Sequence, residues 1–329
     1  MINKLARRPM LAVAVVVLGL AAGCAGGASN DDRTAGAAES SSSKPAINDP
    51  AVEAAALRTV DPCGLLSEEN LAEVGTIVPD SLHEVDWAEC AVEVNSSSGG
   101  VVEMTMRVGD NVVIVDDPTE KVDGLPLIVD KSDEETCYVT AVTSFEAELG
   151  ISFQVNHAGG DACAAGRSAL EKVVRTLHSD PPQYKQPPGS VLTVDPCEVV
   201  DQQVLGELLG GAAERDVMNL HTCYLSPEGE SYPMIGVSLT DSVPADSGDP
   251  LELPGGVTAI QEQETGSDEV SCETSWRHIK TPREDQSDAF GEIVSITYNA
   301  ETGGGVDAAG ACEKSATIAK AVVTKLPAA

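Results

Sequence analysis

Nine cysteines are the residues of this 329-residue sequence best suited to chemistry, and their positions divide them into two kinds. Cys24 ends a short N-terminal segment with a basic start (Lys4, Arg7, Arg8), an apolar run from Met10 to Leu20, and then Ala21-Ala22-Gly23. The run is too short to span a bilayer and suits the h-region of a signal peptide. Small residues before a cysteine suit a signal peptidase, and the thiol they deliver suits lipidation, with acyl chains as the membrane anchor. One position departs from the lipoprotein pattern: Ala21 stands where Leu is usual, three residues before the cysteine, and Leu20 sits one further back. The competing reading is an ordinary secretory signal cut near Ala22 or Ala28.

The remaining eight cysteines are Cys63, Cys90, Cys137, Cys163, Cys197, Cys223, Cys272 and Cys312. An even number outside the cytosol reads as disulfides. No two have C-x-x-C spacing, which disfavours zinc ribbons and thioredoxin-like redox sites. Other chemistry is scarce. The sequence contains no G-x-S-x-G, H-E-x-x-H, G-x-G-x-x-G or P-loop pattern. The five histidines, His83, His157, His178, His221 and His278, are scattered. His221 lies two residues before Cys223, but a nucleophile pair there competes with the disulfide expected of that cysteine. Gly303-Gly304-Gly305 reads as a loop, and Asp161 as a helix cap, before either reads as a site. The acidic clusters Asp130–Glu135 and Glu262–Glu273 lack calcium-loop spacing, so neither a metal nor a cofactor is expected. No catalytic residue is assigned.

Acidic residues outnumber basic ones 53 to 20, for a net charge of −33. That balance repels nucleic acid and anionic membrane surfaces. Aromatic residues make up only 3 % of the chain, so the core must be built from Val, Leu, Ile and Ala.

The chain repeats itself. Thr59-Val60-Asp61-Pro62-Cys63 recurs as Thr193-Val194-Asp195-Pro196-Cys197, and the next cysteines follow after 27 and 26 residues. Later gaps are 47 and 49, then 26 and 40. Each copy ends in a segment with helical spacing: Cys163, Leu170, Val173, Val174 and Leu177, then Cys312, Ala319, Val322, Val323 and Leu326. A period of this length marks a domain duplication, not a solenoid. Three pairings are open within each copy. The first two gaps, nearly constant between the copies, favour Cys63–Cys90, Cys137–Cys163, Cys197–Cys223 and Cys272–Cys312.

These features lay out the chain as a signal (1–23), a flexible Ala/Gly/Ser/Asp tether (24–58), a first four-cysteine domain (59–178), a proline-rich stiff linker (179–192) and a second four-cysteine domain (193–329). Within the tether, Ala51–Arg58 has weak helical character. Ser67 and Asp201 are candidate N-caps, with Gly75 and Gly210-Gly211 as stops. Period-two segments predict strands at Trp87–Val94, Val101–Val108, Cys137–Thr143 and Ile151–Val155, then at Met234–Thr240, Val270–Trp276 and Gly291–Tyr298. The extra residues of the last gap, Lys280–Asp288, read as an enlarged hairpin loop. Each copy is thus expected to be an α+β domain: an antiparallel sheet flanked by an early and a late helix and stapled by disulfides.

The order of these features resembles the actinobacterial lipoproteins of domain-of-unknown-function family 3558. The resemblance rests on Asp61-Pro62-Cys63-Gly64-Leu65-Leu66, Leu71-Ala72-Glu73-Val74-Gly75, Trp87 near Cys90, Cys137-Tyr138-Val139 and Cys163. The second copy matches more loosely, with Glu198-Val199-Val200 after its Asp-Pro-Cys and Tyr224 as its aromatic. The family is similar to extracellular sensor domains of actinobacterial receptor kinases, and it implies no catalytic residue. The expectation is a non-enzymatic, lipid-anchored module on the outer face of the cytoplasmic membrane, projecting into the wall. Its partner would be an envelope protein or a small ligand. The alternatives are an envelope hydrolase without a recognisable motif and a carrier of apolar lipid.

Overall fold

In the computed structural model the described residues are 46–114, 118–281 and 290–329. The proposed signal, Cys24 and most of the proposed tether lie outside them, as does most of the expected loop at Lys280–Asp288.

Short capped turns open the first half. Asp49 accepts the Ala51 N–H and caps a 3-10 turn, Pro50–Val52, and α1 (Ala54–Leu57) follows. Asp61 caps α2 (Pro62–Leu65) through the Gly64 N–H, with Pro62 at the first position, where its missing donor costs nothing. Ser67 caps α3 (Glu68–Leu71), and Glu68 and Glu69 occupy its positive end. That helix has only one turn. Gly75 is not its stop but the first residue of β1 (Gly75–Ile77), where a Cβ would come within 2.0 Å of the Asn95 carbonyl oxygen on the neighbouring strand. Glycine is needed there for the two backbones to meet.

The chain then runs through β2 (His83–Asp86), β3 (Glu89–Ser96), β4 (Val101–Asn111), β5 (Glu120–Val122), β6 (Leu125–Lys131), β7 (Thr136–Ser144) and β8 (Leu149–His157) to α4 (Ala162–Leu177). Asp161 caps α4 through the Ala164 N–H. Leu170, Val173, Val174 and Leu177 on α4 are buried against the strands.

The second half has α5 (Gln202–Leu209), which ends at Gly210 in the left-handed region (φ 79°). Strands β9 (Ala213–Asn219), β10 (Thr222–Pro227), β11 (Met234–Ser242), β12 (Asp249–Leu253), β13 (Val257–Thr265), β14 (Glu269–Lys280) and β15 (Gly291–Glu301) precede α6 (Ala308–Val322). Asp201 precedes α5 but makes no capping hydrogen bond; its carboxylate instead pairs with Lys325 at 2.5 Å.

The strands form a larger sheet than expected. All fifteen join one antiparallel sheet whose main path runs β12-β13-β14-β15-β11-β10-β9-β4-β8-β7-β6-β5, with β3 on β4 and β1 and β2 on β3. The described residues form one compact unit on one sheet, so the expected pair of separate sheets is corrected. The join is narrow: β4 meets β9 through Asp110 and Asn219 alone. Its cause is local. The register of β4 slips between Val108 and Asp110, where Gly109 takes a φ of 68°, and the end of the strand turns toward β9. The path ends at two short edge strands, three-residue β5 and five-residue β12, which carries Pro250 and Glu252.

Two hydrophobic clusters lie on this sheet, one for each half. Four disulfides form at Cα separations of 5.0–5.3 Å: Cys63–Cys90, Cys137–Cys163 and Cys272–Cys312 bind helices to strands, and Cys197–Cys223 binds the turn before α5 to β10.

Two boundaries differ from expectation. The segment from Ile47 to Arg58 is not flexible tether: Val52 and Leu57 are buried in the first cluster, and His178 at the end of α4 meets Asp49 at 2.7 Å and Asp123 at 3.4 Å. The proline-rich linker, expected as a stiff spacer, is docked at both its ends. The Asp61 N–H donates to the Pro182 carbonyl and the Tyr184 N–H to the Thr59 carbonyl, which fastens its start to the first half. Glu292 accepts from Ser190 Oγ and the Val191 N–H, which fastens its end to the second. Apolar segments that find a core, and backbone groups that find partners, order themselves whatever their composition.

Replacing both Cys272 and Cys312 by Ser should lower the unfolding free energy by about 3–4 kcal/mol, the loop-closure value for a loop of this size. Urea titration of the oxidised wild type against the double variant measures it. A second expectation concerns His178. Its pKa is raised, first by the hydrogen bond to Asp49 and then by Asp123, against partial desolvation. A raised histidine pKa gives stability that is complete below the unfolded value of about 6.5 and is lost as pH rises through the folded value. The stability difference between wild type and His178→Gln should therefore be largest below about pH 6.5 and shrink above it.

Candidate functional site

The halves interlock where the chain crosses between them. Trp87, at the turn between β2 and β3, is 5 % exposed and packs into the hydrophobic cluster of the second half. Leu220, between β9 and β10, packs into the cluster of the first half. Leu220 rests on Gly109, where a Cβ would lie 2.3 Å from the leucine Cγ. Glycine at this position supplies both the positive φ and the space.

Arg58 closes the same junction. Its side chain is 9 % exposed; its Nε donates to the Leu220 carbonyl at 3.1 Å and its Nη2 pairs with Asp195 at 3.0 Å. Asp195 belongs to the second Asp-Pro-Cys motif, and the residue in the place of Arg58 there is Leu192. Asn111 at the end of β4 adds a side-chain bond to the Val217 carbonyl. His221 lies beneath, its ring centroid 5.1 Å from that of Trp87. Burial, helped by the nearby Arg58 charge, pushes its pKa down to about 3, so the ring is neutral at physiological pH. Cys223 is bonded to Cys197, and no Cys/His nucleophile pair forms.

Beside this junction is a cleft of about 470 Å³ built from both halves and the linker. Trp87 and Tyr184 contribute its aromatic wall, and the Tyr184 hydroxyl donates to the Trp87 carbonyl at 3.1 Å. Glu84, Asp241 and Glu292 bring three carboxylates, and Lys185 and Lys280 bring two ammonium groups. Glu292 is 2 % exposed. Burial pushes its carboxyl pKa up, opposed by the hydrogen bonds from Ser190 and Val191. Its size falls within the range of small-molecule sites, and mixed apolar and convergent polar walls are their usual chemistry.

A second pocket between the halves, about 200 Å³, surrounds the buried Arg58 and its partner Asp195, with Leu149, Val217 and Leu220 on its walls. A trough of about 540 Å³ is lined by Glu103, Asn156 and the 133–136 turn. Asp133 there caps the Glu135 and Thr136 N–H groups, which hold its carboxyl below the usual range. This accounts for the acidic run Asp130–Glu135 as a turn. A groove of about 580 Å³ separates α6 from β12 and β13. In the first half, Arg167 on α4 spans to Glu120 on β5 with a two-pronged ion pair. Among the described residues no group of three or more His, Cys, Asp or Glu is arranged to hold a metal ion. The 303–305 glycines form the turn after β15.

Of the residues singled out from sequence, the structure joins the eight cysteines in four bonds, and Cys24 lies outside the described residues. Sequence reasoning missed Arg58, Glu292 and Lys280. Only Arg58 left a trace: the first copy has Arg directly before its motif and the second has Leu192.

Residues 19–176 match the family described as Protein of unknown function (DUF3558), which supports that family for the first half of the chain. No curated protein and no solved structure matches.

Truncating Trp87 to Ala removes the largest side chain that crosses between the halves. It should cost about 3–5 kcal/mol of stability, the range for buried Trp to Ala. Differential scanning calorimetry would then show a lowered transition or its separation into two, because the clusters lose their shared side chain.

Proposed function

With that family match as the premise, we propose that the chain is a non-enzymatic envelope lipoprotein that binds or senses a ligand at the waist between two diverged copies of one module. The observation that carries this reading is the sulfur count. Eight cysteines are held in four disulfides, which belong to an oxidising, extracytoplasmic compartment, and the ninth, Cys24, directly follows a signal-like segment. No described helix is long and apolar enough to cross a membrane, so attachment in this reading falls to acyl chains on Cys24. In this reading the folded unit stands on the outer face of the membrane and projects into the wall.

Duplication is supported by the repeated Asp-Pro-Cys, by disulfides that join the first cysteine to the second and the third to the fourth in each half, and by the closing helices α4 and α6. Binding at the waist is supported by the cleft, which both halves and the linker line with apolar and charged groups.

Intact-mass measurement of protein from its native host should show loss of the first 23 residues and a diacylglycerol adduct. Cys24→Ala should move the protein from the membrane fraction to the medium. An unmodified mass, or membrane retention of the variant, would overturn the anchor. Capture from intact envelope, with mass spectrometry of bound lipids and proteins, should return a partner that is lost when the waist is disrupted by Trp87→Ala.

A further inference from the structure

We propose that the waist cleft binds a small zwitterion of the amino-acid or short-peptide class, with its ammonium toward Glu292 and Asp241 and its carboxylate toward Lys185 and Lys280. The inference rests on the reading of the chain as a binding module and adds the chemistry of its ligand.

Glu292 carries the first half of the argument. It is buried yet lines the cleft, and its two oxygens each accept one protein hydrogen bond, from Ser190 Oγ at 2.7 Å and from the Val191 N–H at 2.6 Å. A carboxylate offers about four acceptor positions, so these two leave acceptor capacity on a group that lines the cleft. Asp241, which accepts from Thr281 Oγ1 at 2.5 Å, and Glu84 add to the negative potential on that side. An ammonium group provides charge and up to three donors at once.

The lysines carry the second half. Cations are scarce in this chain, and Arg58, Arg107, Arg167, Lys172, Arg215 and Lys325 are each paired with a carboxylate. Lys185 and Lys280 line the cleft without an ion pair among the described residues. A simple anion would meet three carboxylates, and a simple cation would meet two lysines. A molecule carrying both charges satisfies each set. The Trp87 and Tyr184 wall gives its aliphatic body an apolar surface.

The test uses the full chain with its disulfides intact and titrates it calorimetrically with trialanine. The N-acetylated, C-amidated and doubly blocked forms of the peptide are the controls. Trialanine should bind, and each single block should weaken it about tenfold or more. Glu292→Gln also loosens the linker, so the decisive variants are on the walls. Lys280→Ala should weaken trialanine but leave the C-amide unchanged, and Asp241→Asn should weaken trialanine but leave the N-acetyl form unchanged. Absence of binding, equal binding of the doubly blocked peptide, or variants that weaken all forms alike would overturn the proposal. Those outcomes leave the binding-module reading standing, because capture from the envelope tests it independently of ligand class.

Discussion

Trp87 and Leu220 each leave their own half and complete the core of the other. This reciprocal exchange is the constraint on which the rest of the structure depends. Edge-to-edge contact of the sheets is slight, one residue pair, and cannot by itself fix how the halves meet. Buried side chains can, because close-packed interiors resist small displacements. Arg58 adds direction, since its guanidinium reaches a backbone carbonyl and a carboxylate together and only one orientation satisfies both. The cleft beside the junction inherits this rigidity. Its walls come from three parts of the chain that are far apart in sequence, and without the exchange they would not converge.

The disulfides act at a different level. Each closes a loop inside one half and none crosses the waist. A chain with three Phe, two Trp and five Tyr builds most of its core from smaller aliphatic groups, which bury less area each. Cross-links compensate by restricting the unfolded chain. The few aromatics are spent with economy: Trp87 at the waist, Phe153 under α4, and Trp276 and Tyr298 in the second core.

Much of the local structure was legible in the residues. Alternation located β4, β7, β8, β11, β14 and β15 closely: burial alternates along most of β4 and β8, while β7 and β15 add runs buried on both faces. The closing helices and the cap at Asp161 were legible because their signals are local. The weaker strands were not. β9 reads Ala-Glu-Arg-Asp-Val-Met-Asn, and it is a strand because β10 and the end of β4 accept its backbone bonds. The fused sheet was hidden because it turns on Gly109 and Leu220, two residues unremarkable apart. At the site, Trp87 was visible as an aromatic near Cys90 but its destination was not. Glu292 and Lys280 were lost among many charged residues, since composition does not report which carboxylate is buried.

The two ends of the sheet's main path bear on crowding. Unpaired strand borders invite other chains to add to them. Here the main path ends at a three-residue strand and at a five-residue strand interrupted by a proline that has no hydrogen to donate. Copies held side by side would therefore find little backbone to recruit at those two ends.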